Sequence, residues 1–254
     1  MSLSTISEAQ QQDIADFLKA RIIPAGLGTR AEACSIAAIN LALTGTFTDE
    51  IPPCMSKVIG NWIVQTQDRM PHKIRNSGAW RRLLPLAAGT GRTLESERAA
   101  LVTDWVFNKV LSQIQPYATD KGFGLPWAEM CELGAVEACD AADEALYVYS
   151  KSTQARLEFA AGGTVENYLD NVTTVAYLTD AMNSISRGWD FGNTGRVASN
   201  IANAYSICGS AVARYSAIAS NIVLVPAELA IENRKLFWDA CEIPQTLKKL
   251  IEVG

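Results

Sequence analysis

Apolar positions recur along this chain with the 3.6-residue period of amphipathic helices, and no hairpin signal flanked by alternating strands is present. Ile14, Phe17, Leu18 and Ile22 share one side of a helix predicted over Ser7–Ile22. Ser7 and Gln10 stand at capping-box spacing before it, and Pro24 and Gly26 end it. Thr29 and Glu32 repeat the box spacing and predict a second helix from Thr29 through Ile36, Ile39 and Leu43 to a stop at Gly45. The corner Thr48–Pro53 sets Asp49 and Glu50 just ahead of a third helix, where they suit the positive end of its dipole. Met55, Ile59, Trp62 and Ile63 form that helix's apolar stripe.

Pro71 interrupts the pattern. Asn76 or Ser77 can cap a short helix through Trp80, Leu83 and Leu84, and Pro85–Gly91 reads as a loop. Thr93 is the expected cap of a fifth helix, with Glu95 and Glu97 in its first turn and Leu101, Trp105, Val110, Leu111 and Ile114 carrying it to Pro116. Pro126 opens a long helix toward Phe159. Gly162-Gly163 is the clearest break, and a helix from Thr164 to Ile185 follows. After a loop over Arg187–Gly195 comes a further helix, and Pro226 and Pro244 mark two more starts. The pattern predicts an all-α multi-helix bundle: an N-terminal helical domain, 1–161, and a C-terminal long-helix hairpin or bundle, 164–254, which could also pack as one unit.

The helix over Val197–Val225 carries two stripes. Ser199, Ala202, Ser206, Gly209, Ala213, Ser216 and Ser220 are all small and allow another helix to approach closely. Ile201, Tyr205, Cys208, Val212, Tyr215, Ala219 and Ile222 form a mostly apolar stripe about 100° away. A helix so patterned packs against two neighbours. Either it is a central core helix, or the small stripe is an interface with a second copy.

Composition narrows the function classes. The 254 residues are 48% apolar and 19% charged, enough for a sizeable core, and the formal charge of −5 disfavours a duplex-coating nucleic-acid binder. The six cysteines form no C-x-x-C pair and read as reduced, buried small hydrophobes of a cytosolic-type compartment. The start MSLSTISEAQQQ lacks the pattern of a signal peptide. The least charged stretch, Val197–Ile231, is rich in Asn and Ser, so no membrane span is expected.

One local charge feature stands out. Arg69, Lys73, Arg75, Arg81, Arg82 and Arg92, with His72 among them, lie in a stretch with no Asp or Glu before Thr93. This run abuts Gly89-Thr90-Gly91 at a helix start, where backbone amides can hold phosphate, so Arg69, Lys73, Arg75, Arg81, Arg82, Gly89, Thr90, Gly91 and Arg92 are candidate anion- or nucleotide-binding residues. The turn lacks the length and Lys-Ser/Thr ending of a P-loop, and no strand precedes it. The plainer reading makes it a turn, with the arginines solvated or paired to Asp49, Glu50 and helix acids. Glu129-x-x-Glu132 and Glu137-x-x-Asp140 resemble pieces of an all-helical nucleoside-triphosphate pyrophosphatase, but on one continuous helix they cannot face each other across a metal. His72 is the only histidine, so no multi-histidine metal centre is possible, and no nucleophile motif surrounds it. Trp189-Asp190-Phe191 could present rings to a partner or plug the core.

The segments SIAAINLALTG (35–45), TDEIPPCMSKVIGNWIVQTQDRMP (48–71), RNSGAWRRLLPLAAGTGR (75–92) and FWDACEIPQTLKKLIEV (237–253) resemble a family of phage- and prophage-encoded proteins with no assigned activity. ACDAADEAL (138–146) is similar to a short remnant of that family's alanine- and aspartate-rich tract, and the stretch from about Gly162 to Ile231 departs from it. The resemblance implies a viral or prophage setting, in the host cytoplasm or a virion, and transfers no catalytic residue.

Three functions follow, in order. The first is a non-enzymatic binding or assembly protein acting through helix–helix contacts, as a homo-oligomer or on a host or virion protein. The second is a protein that sequesters a nucleotide or oligonucleotide through Arg69–Arg92. The third is a magnesium-dependent phosphohydrolase using Glu129, Glu132 and Glu95. No cofactor, resident metal or catalytic residue is assigned.

Overall fold

The structure, a computed structural model, describes residues 6–135, 138–151, 165–186, 195–205 and 226–253. The fold is all-α. Among the described residues there is no strand, and the isolated bridge between Gly28 and Ala33 closes a loop. No helix among them is long and apolar enough to cross a membrane.

Contacts divide the chain into two units, Met1–Val102 with Glu242–Gly254, and Thr103–Cys241. The boundary expected at Gly162-Gly163 lies outside the described residues, and the first unit ends at Val102 and resumes at Glu242. The reason is the last helix. Its Ile243, Leu247 and Leu250 are buried in the first unit, so the chain's end returns to its beginning.

In the first unit, α1 (Glu8–Lys19) starts at the expected capping box, with Ser7 and Gln10 bonded reciprocally. The second helix starts later than its sequence suggests, as α2 (Ser35–Thr44). The Thr29 hydroxyl accepts from the amides of Ala31 and Glu32, and the Thr29 amide donates to the Glu32 carbonyl. Thr29 therefore makes a local turn that competes with helix, and Cys34 takes the capping position. Gly45 ends α2 in the left-handed conformation, as expected.

Next come α3 (Lys57–Gln67), capped by Ser56, the short α4 (His72–Arg75) after Pro71, and α5 (Gly78–Ala88), capped by Ser77. The loop expected from Pro85 is helix through Ala88. An internal proline costs about 3 kcal/mol, but Trp80, Leu84, Ala87 and Ala88 are all buried, and their packing outweighs it. Trp62 and Trp80 form the centre of this core with ring centroids 6.2 Å apart. The Trp80 indole donates to the buried Ser35 hydroxyl.

The helix α6 (Glu95–Trp105) leads from the first unit into the second. It gives way to a π turn, Val106–Val110, a 3₁₀ turn, Leu111–Ile114, and α7 (Gln115–Asp120). Pro116 thus opens a helix instead of closing one. Val106, Phe107, Val110, Leu111 and Ile114 in these turns are all buried. The long helix expected from Pro126 is split into α8 (Gly124–Leu133) and α9 (Cys139–Lys151) by Gly134, left-handed at φ 58°. α10 (Val165–Ser186) packs on α9, residues 195–205 form α11, and α12 (Pro226–Ala240) completes the described helices of this unit. Phe123 contacts Tyr117, Trp127 and Tyr149, with centroids 5.6–6.1 Å apart. The final helix, α13 (Ile243–Glu252), belongs to the first unit.

Candidate functional site

The basic segment is dismantled as a phosphate clamp by its own backbone. Arg75 is 7% exposed and donates from Nε to the Ile23 carbonyl at 2.9 Å and from Nη1 to the Gln67 and Met70 carbonyls at 2.8 and 3.0 Å. The Gln67 and Met70 carbonyls lie at the end of α3 and in the turn after it, where helical partners run out, and the Ile23 carbonyl lies in the loop after α1. A planar guanidinium suits the task because its donors point in fixed, divergent directions. Burial lowers the Arg75 pKa and the nearby Asp68 charge raises it. Arg81 donates to the Leu18 carbonyl at the end of α1 and to both the side-chain and backbone oxygens of Asn76. Arg69 bonds back to Gln65, and Arg92 reaches the Met55 carbonyl at 3.4 Å.

The Gly-Thr-Gly turn offers no anion cradle. The Gly89 amide donates to Leu86, the Thr90 amide to Ala87 and the Gly91 amide to Cys54. The Thr90 hydroxyl donates to Ala87 and accepts from the Ser56 amide. Its outward carbonyls are taken too. Arg98, 2% exposed, donates to Thr90 and Gly91 at 3.2 and 3.3 Å and to Leu250 at 3.1 Å. Among the nine candidate anion-binding residues, Lys73 and Arg82 remain exposed. Arg75 and Arg81 thus tie loops to helix ends, while Arg82 stays exposed.

Arg82 also borders a shallow recess among the described residues. A groove of about 290 Å³ runs between α5 and α13, lined by Ala79, Arg82, Leu83, Pro244, Gln245 and Lys248. Its floor is apolar, and a cation stands on each helix. Lys248 also pairs with Glu252 at 3.6 Å, but both side chains are more than half exposed, so that pair holds it weakly.

The carboxylates have other work. Glu95 accepts from the Lys57 and Val58 amides at 3.0 and 2.9 Å, capping α3 from a different helix. The acid at this dipole end is therefore Glu95, while Asp49 and Glu50 are exposed. Glu129 and Glu132 are exposed on α8, Asp140 lies on the separate α9, and Glu137 is outside the described residues. Among the described residues no three His, Cys, Asp or Glu side chains are grouped to hold a metal ion. His72 is exposed on α4.

Of the small stripe, Ser199 is half-buried and Ala202 fully buried within this single chain. Ser206, Gly209, Ala213, Ser216 and Ser220 lie outside the described residues, as does the loop Trp189-Asp190-Phe191. Cys34, Cys54, Cys131, Cys139 and Cys241 are free and buried, as their apolar settings suggested.

Arg98, Gln245 and Lys248 were not singled out from sequence. Only the amphipathic pattern of α13 hinted at the last two, since Gln245, Lys248, Lys249 and Glu252 fall opposite its buried stripe. Fold and groove together define an all-α protein with a cation-edged recess between two helices. Compared with family models, with curated proteins and with solved structures, the chain matches none.

Proposed function

We propose that this chain is a non-enzymatic binding and assembly protein that works through its helical surfaces. The setting we propose is the phage or prophage one that its N- and C-terminal motifs resemble, in the host cytoplasm or a virion. The observation that carries the reading is where the arginines go. Arg69, Arg75, Arg81 and Arg92 all donate to backbone carbonyls, whereas Arg82 stands beside an apolar groove. A phosphate site needs several convergent donors, while an apolar recess edged by charge suits a protein surface.

Light scattering coupled to size exclusion tests the assembly half. Masses that are multiples of 27.5 kDa support it, and a strict monomer at every concentration removes it. Nucleotide sequestration is the competing reading, resting on the cations Arg82 and Lys248 at one recess. A thermal shift with nucleotides that vanishes in Arg82→Ala would favour it over assembly.

A further inference from the structure

Two surfaces of this chain complement each other. The first is the α5–α13 groove, with Ala79, Leu83 and Pro244 as its apolar lining and Arg82 and Lys248 on its banks. One turn beyond Arg82, Leu86 extends the exposed apolar surface of α5. The second is the outer face of α9. Its inner residues Cys139, Ala142, Leu146 and Tyr149 are buried, and the helix packs on α8 and α10. The opposite face exposes Asp140, Ala141, Glu144, Tyr147, Val148 and Lys151, spaced three or four apart and so aligned in one stripe, with the acids in its first half and the Lys151 Nζ 5.6 Å from the Tyr147 ring centroid at its end. Tyr147 and Val148 are 58% and 57% exposed, unusual for an aromatic and a β-branched residue side by side on one helix.

The two patterns are opposites: apolar floor with cations against apolar ridge with acids. We propose that the outer face of α9 seats in the α5–α13 groove of a second copy of this chain. Tyr147 and Val148 enter the apolar recess, and Asp140 and Glu144 meet Arg82 and Lys248. This rests on the assembly reading above and names its contact. Charge complementarity selects the occupant, because a chain with a −5 formal charge presents a basic bank here and an acidic, apolar ridge elsewhere. Donor and acceptor surfaces differ, so the contact is heterologous and repeats from copy to copy into a ring or a filament. One helix in one groove is a small interface, so the association is weak and concentration-dependent.

A charge swap on the full chain tests this. Arg82→Glu/Lys248→Glu makes the groove acidic, and Asp140→Lys/Glu144→Lys makes the ridge basic. The expected result is that wild type associates by light scattering, each double variant alone is monomeric, and an equal mixture of the two regains the wild-type mass. Circular dichroism melts of both variants confirm that they are folded. On the wild type alone, association must weaken as sodium chloride is raised to half-molar, since the pairs are exposed. Wild-type association that either reversal leaves unchanged, or that strengthens with salt, overturns this contact while leaving assembly itself standing. A wild type that is monomeric throughout overturns both.

Discussion

The Nε of Arg98 donates to the carbonyl oxygen of Leu250, 3.1 Å away and 152 residues further along the chain. The same guanidinium holds the carbonyls of Thr90 and Gly91. One buried side chain thus joins the start of α6, the turn before it and the last helix. Burial lowers its pKa and the neighbouring Glu95 and Glu97 raise it, yet an arginine stays charged at any ordinary pH.

Replacing Arg98 with Met strips three carbonyls of their donor. The expected loss is about 3 kcal/mol or more of unfolding free energy, read from urea denaturation. Arg98→Lys recovers only a minority of it, because an ammonium on a flexible stem cannot span three divergent acceptors. Arg82→Ala, on an exposed position, should stay within about 0.5 kcal/mol of wild type. Equal losses in the Arg98 and Arg82 variants would contradict the division between structural and exposed arginines.

Glu95 caps α3 from outside its own helix. Glu95→Ala should therefore destabilise by about 1–2 kcal/mol, and Glu95→Gln by less because one acceptor survives. Asp49→Ala and Glu50→Ala are the matched controls. They should be near neutral, and a larger loss in either would return the capping role to the acids that precede α3 in sequence.

Two glycines separate steric from conformational cost. A Cβ at Gly124 would lie 2.7 Å from the Thr119 Cα and 3.0 Å from its amide nitrogen, and backbone cannot step aside. Overpacking of this kind costs about 1–3 kcal/mol. Gly134 has φ 58° but open space around it, so Gly134→Ala costs only the left-handed penalty of about 1–2 kcal/mol. Thermal melts should rank Gly124→Ala as the less stable of the two.

The buried thiols predict both reactivity and an alkaline limit. Burial raises the pKa of Cys34, Cys54 and Cys241, and pushes Cys131 from 9.0 to about 12. In the native protein these thiols should resist a disulfide reagent at pH 8 and react once guanidinium unfolds the chain. For Cys131 the unfolded chain holds fewer protons than the native one between pH 9 and 12. Stability is therefore intact below that window and falls through it, by up to about 1.4 kcal/mol per pH unit per thiol. Denaturation midpoints at pH 8 and pH 10.5 test the sign, and a higher midpoint at pH 10.5 would reverse it.

The helices were legible where the signal is local. Ser7 with Gln10, Ser77, Gly45 and the Pro244 start act within a turn of themselves, and the structure uses each one at its predicted place. The Thr29 box failed because a threonine side chain can serve a turn as readily as a helix start, and only the loop's closure selects between them. Pro85 failed as a breaker because the buried face around it was worth more than the lost bond.

The candidate site was legible only as composition. An acid-free stretch of arginines is visible in the sequence, but whether a guanidinium faces solvent or a carbonyl depends on partners many residues away, such as Ile23 for Arg75 and Leu18 for Arg81. The groove pairs Leu83 with Pro244, residues that share no local pattern.

The amino-acid order alone determined that this is an all-helical protein, because period, caps and breakers act over one or two turns of chain. Only the tertiary structure decided that α13 folds back on the first unit, that Glu95 caps α3, and that most of the arginines serve backbone while Arg82 faces a groove. Those outcomes turn on which orphaned carbonyl, amide or apolar stripe comes within reach once distant segments pack, and that proximity is not written in any local run of residues.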